Sequence, residues 1–226
     1  MNRPNLSLLD RCAQSEAFNQ EAASQLARVP HSTPRQHLAL AAVSLAHEHH
    51  SALIHLMGTR HFASAAALLR PLAEASARAH WFIYAASKQK VEALTRGTEI
   101  TPDLDKMISA LSKCAVAPAG IRDLKRIVQT HGWTRFHKYT HGDMSQLSRR
   151  ANPQPFTEFE NMNHLMLADD FLLAGASIGT VLLEDPFFFQ FIRENHARLN
   201  EEAVALYGAR SVPEWDGLPA PPLLWA

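Results

Sequence analysis

The chain has 226 residues, 46% apolar and 19% charged, a balance that excludes a disordered polymer and suffices for one large helical domain. Its formal net charge is zero, so no global field steers nucleic acid or an acidic membrane toward it. That average hides an asymmetry: residues 121–150 carry seven Lys/Arg against two acids, net +5, and residues 151–226 carry three against eleven, net −8.

Residues 5–28 predict a first amphipathic helix, with Leu6, Leu9, Ala13, Phe18, Ala22 and Leu26 toward one side and Pro30 ending it. Thr33-Pro34 predicts a restart, an N-cap followed by proline in the first turn. This second helix runs to Gly58, read as its C-cap. After a very short turn, residues 60–86 read as the central helix, which should pack antiparallel to the second. Pro71 should kink it and free the carbonyl of Ala67, one turn back.

Shorter helices are expected over 88–96, closed by Gly97, from Asp103 onward, and around Ile121–Val128. Thr157 and Glu160 form a capping box that launches a long helix over 158–184. Its Gly175-Ala-Ser-Ile-Gly179 run predicts tight packing against a neighbouring backbone. Asp185-Pro186 opens the last helix, whose FFFQF run is apolar all round and should be buried on several sides or covered by another chain. No segment alternates with period two. The expected fold is therefore an all-α bundle of seven to nine helices over residues 1–208. A Pro/Trp-rich tail, 209–226, with Trp215 and Trp225, should dock on this chain or a partner.

Cys12 and Cys114 stand far apart without CxxC spacing, which fits free thiols in a reducing cytosol. No signal peptide and no run of about eighteen uncharged apolar residues stand out. A cytoplasmic protein without a membrane span is the expectation.

Thirteen histidines raise the question of a metal. His47-Glu48-His49-His50 fails the zinc-protease spacing, because position 51 is serine. His47 with His50, or His137 with His141, could each lend two ligands from one helix face, which makes a metal-binding bundle a third-ranked reading. No metal and no cofactor are expected. Arg70, Glu74 and Arg78 fall four residues apart and stack on one face of the central helix, as either a structural ion-pair ladder or the wall of a site. If Glu74 is buried between the two arginines, its removal should cost about 3–5 kcal/mol.

The stretch 133–143, WTRFHKYTHGD, is the least generic in the chain. Arginine binds phosphate bidentately and histidine moves a proton near neutral pH. Together they could activate a 2′-hydroxyl and stabilise a phosphorane without a metal. Arg135-x5-His141 resembles the Arg-x(4–6)-His motif of the HEPN superfamily, all-helical proteins of toxin–antitoxin and phage-defence systems. Residues 40–180 also resemble a set of bacterial helical proteins with an Arg-Pro-Leu-x-Glu helix ending in Trp, here Arg70 to Trp81. They share a later Trp…Tyr-Thr-His-Gly followed by Arg-Arg, here Trp133, Tyr139–Gly142 and Arg149–Arg150. Phe136 departs from the superfamily, which usually has a polar residue after its arginine.

The resemblance implies a metal-independent endoribonuclease acting as a homodimer, a toxin or phage-defence effector. In it His141 is the acid/base and Arg135 binds phosphate, while Lys138, Tyr139, Arg149 and Arg150 hold RNA. An antitoxin or other protein partner would follow. The competing class is a non-enzymatic helical scaffold or binding module, in which Arg70, Glu74 and Arg78 are structural and the tail recruits a partner.

Overall fold

The computed structural model describes residues 7–29, 32–117, 138–142, 144–151, 156–183 and 185–207. Every regular element among them is helical. Helix α1, Leu8–Leu26, begins at a Ser7–Asp10 capping box, in which Ser7 accepts from the Asp10 amide and Asp10 reaches back to the cap. Helix α2, Pro34–Gly58, starts as expected at Thr33 with Pro34 in the first turn, and Gln36 completes its box. Its end differs from the expectation. Gly58 is still helical, Thr59 is the cap, and the left-handed residue that turns the chain is Arg60, φ +63°. The amide of His61 then reaches the Leu56 carbonyl at 2.7 Å, closing a Schellman-type turn.

Pro71 breaks the central helix where it removes an amide. The chain forms α3, Phe62–Ala67, then α4, Leu69–His80, and a π-helical turn, Trp81–Ala85. Arg35 of α2 holds the end of that turn, donating to the carbonyls of Phe82 and, at 2.8 Å, of Ala86. Short helices α5, Lys88–Thr95, and α6, Leu104–Lys113, follow, capped by Ser87 and Asp103. Beyond them come α7, Met144–Ala151, α8, Glu158–Ala176, α9, Ile178–Leu183, and α10, Pro186–Tyr207. The fold is the expected multi-helix bundle. The helix expected around 121–128 and the Trp-bearing tail lie outside the described residues.

Helix α8 is the axis of the bundle and packs on α1, α2, α4 and α10. It is buried on nearly every side, from Asn161 to Ala176. By length and composition the stretch Glu158–Leu183 could cross a membrane, yet 78% of its apolar window is buried inside this protein. Within one chain, Gly175 lets the backbone of a neighbouring helix approach at Ser76, whereas Gly179 makes room for side chains. A Cβ on Gly175 would lie 2.8 Å from Ser76 Oγ of α4, and one on Gly179 would collide with Phe188 and Leu26. The FFFQF run is less enclosed than expected: Phe188 is buried, but Phe187 is 79% exposed.

Candidate functional site

The kink in the central helix builds the site. With proline at position 71, the Ala67 carbonyl has no amide one turn on, and Thr140 Oγ1 donates to it at 3.1 Å. Tyr139 beside it is buried, its ring packed on Phe156 and edge-on to His164. Gln146 Nε2 donates to the Tyr139 carbonyl at 2.9 Å, pinning the next helix to the same segment. Gly142, φ +63°, then turns the chain out. The result is a turn fixed on both sides that holds His141 exposed to solvent, with Lys138 exposed one turn earlier.

The other predicted site residues divide. Arg149 is engaged by the protein itself: its guanidinium holds Glu160 at 2.6 and 3.3 Å and lies 4.4 Å over the Phe156 ring. That hydrogen bond, with the cap amide of Thr157, pulls the Glu160 carboxyl down to about 2. Glu160 therefore serves two ends, closing the capping box of α8 and tying α7 to it. Tyr139 supports the turn from beneath. Arg135, and the side chain of Arg150, lie outside the described residues.

The polar stripe on α4 is only partly a ladder. Arg70 Nε donates to Glu74 at 2.8 Å, with the two side chains 22% and 27% exposed. Arg78 does not close the other side of Glu74. It sits half-buried near His49 of α2, and its Nε is buried without a hydrogen-bond acceptor among the described residues. Burial, with Arg78 adding to it and Glu48 opposing it, lowers the His49 pKa.

A second cluster went unread in the sequence. Asp169 of α8 is fully buried and accepts from Arg11 of α1 at 2.9 Å, His50 of α2 at 2.8 Å and Arg198 of α10 at 3.2 Å. Glu202 accepts from the same two arginines, each at 2.8 Å. Burial alone would raise the Asp169 pKa, but His50, Arg11 and Arg198 together hold it well below the carboxylate range. Its neighbour Asp170 is pushed up to about 7 by burial and by the charges of Asp169 and Glu202, against Arg198. The available signal was a pair of aspartates inside the apolar run 165–176 of that helix.

Of the histidines weighed as metal ligands, His47 and His50 have protein partners, and His137 lies outside the described residues. His47 Nδ1 meets Asn19 Oδ1, and His50 Nε2 donates to Asp169. No group of three metal-ligating side chains occurs among the described residues. His80, also buried, donates from Nε2 to the Ala174 carbonyl at 2.6 Å, and burial lowers its pKa to about 4.

Among protein families, one described as a family of unknown function, DUF6988, matches residues 43–200. No curated protein and no solved structure matches.

Proposed function

Since the chain belongs to DUF6988, whose function the description leaves open, we propose its activity from the site: a metal-independent endoribonuclease of HEPN-like type working as a homodimer. The observation that supports it is the exposed His141 on a turn secured by Tyr139 beneath and Thr140 to the kinked central helix. A turn fixed in this way presents its histidine with little backbone freedom left to lose, which suits it to proton transfer.

In this reading His141 takes the proton from an RNA 2′-hydroxyl. The 2′-oxygen attacks phosphorus, the bond from phosphorus to the 5′-oxygen breaks, and the leaving oxygen receives a proton. A 2′,3′-cyclic phosphate and a 5′-hydroxyl result. Arg135 neutralises charge on the phosphorane, and Lys138 contributes to holding the backbone. Tyr139 and Arg149 act through position rather than contact, because their own protein partners occupy them. A toxin or phage-defence role, and a cognate antitoxin, belong to the same proposal.

One observation favours the alternative of a non-enzymatic binding module: Arg149, expected to hold RNA, is spent on Glu160 and Phe156. Incubating purified protein with total RNA in the presence of EDTA separates the two. Wild type should generate fragments with 2′,3′-cyclic ends, and His141→Ala should lose at least 100-fold in rate, the order expected for a general acid–base. Equal RNA integrity with both proteins, across a range of RNAs and with native circular dichroism, would leave the binding module as the better reading.

A further inference from the structure

We propose that Gln146 is a positioning residue for His141: its side-chain amide braces the Tyr139–Gly142 turn against α3 and so fixes the reach of the histidine toward an RNA backbone. The RNA in this statement rests on the ribonuclease reading, whereas the brace does not.

The turn that carries His141 closes weakly by itself. Its own backbone bond, from the Gly142 amide to the Tyr139 carbonyl, is 3.4 Å long, near the outer limit of a hydrogen bond. Gln146 supplies a better one, donating from Nε2 to the same Tyr139 carbonyl at 2.9 Å. The same nitrogen donates again, at 3.4 Å, to the Ala63 carbonyl of α3. Two carbonyls thus bracket the amide, and only its nitrogen can face them, because its oxygen has no proton to give. One turn along α3 from Ala63, the Ala67 carbonyl takes the proton of Thr140 Oγ1 at 3.1 Å. The His141 turn therefore hangs from α3 at two points. Thr140 grips the residue before His141, and Gln146 grips the carbonyl whose own closing bond is weak.

The brace also has a firm backing. Gln146 and Arg149 stand three apart on α7 and share one side of it. Arg149 holds Glu160 at 2.6 and 3.3 Å, and Glu160 closes the capping box of α8. Helix α7 is thus a strut between the His141 turn and the start of the central α8. A group displaced by about 1 Å from its reacting partner loses on the order of 100-fold in rate, so a brace of this kind governs catalysis without touching substrate.

Two measurements on the full chain test this. Gln146→Glu is the sharper variant, since it keeps the shape, removes both donors and sets a carboxylate oxygen against two carbonyls. Gln146→Ala removes the donors without adding a charge, and serves if the glutamate variant fails to fold. The first measurement is the NMR order parameter of the His141 amide, expected near about 0.85 in wild type and below about 0.6 in the variants. The amides of Leu165 to Ala176 in α8 should stay as rigid as in wild type. The second is cleavage of an RNA oligonucleotide in EDTA, where kcat should fall by about 10–100-fold with KM unchanged.

A His141 amide as rigid in both variants as in wild type overturns the brace. A loosened turn that cleaves RNA with the wild-type kcat overturns the positioning role and leaves the ribonuclease reading intact. A turn loosened only in the variants, in a protein whose wild type cleaves no RNA, supports the brace and removes the ribonuclease reading alone.

Discussion

Asp169 and Asp170 are neighbours in the chain, yet their environments drive their protons in opposite directions. Two arginines and a histidine keep Asp169 ionised, while Asp170 is crowded by Asp169 and Glu202 and holds its proton to about pH 7. An unfolded aspartate releases its proton near 3.9. Between about pH 4 and 7 the unfolded chain has lost the Asp170 proton and the folded protein has kept it. Stability therefore falls across that window as pH rises, and the whole penalty is present above about 7. Asp170→Asn should thus be more stable than wild type at about pH 8, by roughly 1–3 kcal/mol, and closely matched to it below about pH 4. Urea unfolding at both pH values measures the difference, and a variant less stable at high pH would contradict this account. Residue-scale energetics also revise the expectation for Glu74. With its side chain 27% exposed and one arginine beside it, Glu74→Ala should cost about 1 kcal/mol or less, not the larger cost of a buried charge.

Element starts were legible because caps are local chemistry. Thr33-Pro34, Thr157 with Glu160, and Asp185-Pro186 all open helices where their side chains and fixed φ angles say they should. The Pro71 kink was legible for the same reason, down to the carbonyl it frees. What serves that carbonyl was not: Thr140 is 73 residues away in sequence. The π-helical turn after His80 has no cap or breaker to announce it, since tertiary bonds from Arg35 hold it. Gly58 misled because glycine is the usual left-handed cap, whereas here Arg60 takes that conformation. This yields a paired expectation. A Cβ at Gly58 meets nothing within 4 Å, and the residue is helical, so Gly58→Ala should stabilise by about 0.5–1 kcal/mol. Gly179→Ala places the same methyl against Phe188 and Leu26 where α9 meets α10 and α1, and should destabilise by about 1–3 kcal/mol. Thermal melts of the two variants should move in opposite directions; parallel shifts would mean that α9 adjusts freely.

At the scale of the whole molecule, the Asp169 network joins helices that lie at opposite ends of the sequence. Arg11 and Asp169 are separated by 158 residues, His50 and Asp169 by 119, and Arg11 and Glu202 by 191. Periodicity places apolar faces but says nothing about which buried cation meets which buried anion, so this network could not be read in advance. The face of α1 was drawn from its apolar residues alone, which leave out Arg11 although it is 3% exposed. The network has two arginines against Asp169 and Glu202, which is why Asp169 can remain ionised in the core. Removing that carboxylate leaves Arg11 and Arg198 facing each other with only Glu202 between them. Asp169→Ala should therefore cost about 3–5 kcal/mol at pH 7, several times the loss at Glu74. Because the folded pKa of Asp169 lies below its unfolded value, the stability it supplies is complete above about pH 4 and fades as pH falls further. The gap between wild type and variant should accordingly narrow in acid. If α1 and α10 are docked chiefly through this cluster, the variant should also lose protection from amide exchange in both helices together while α2 and α4 keep theirs. Uniform loss across all four helices would instead show the cluster acting on global stability alone, and unchanged stability at pH 7 would mean that apolar packing around α8 suffices to hold them.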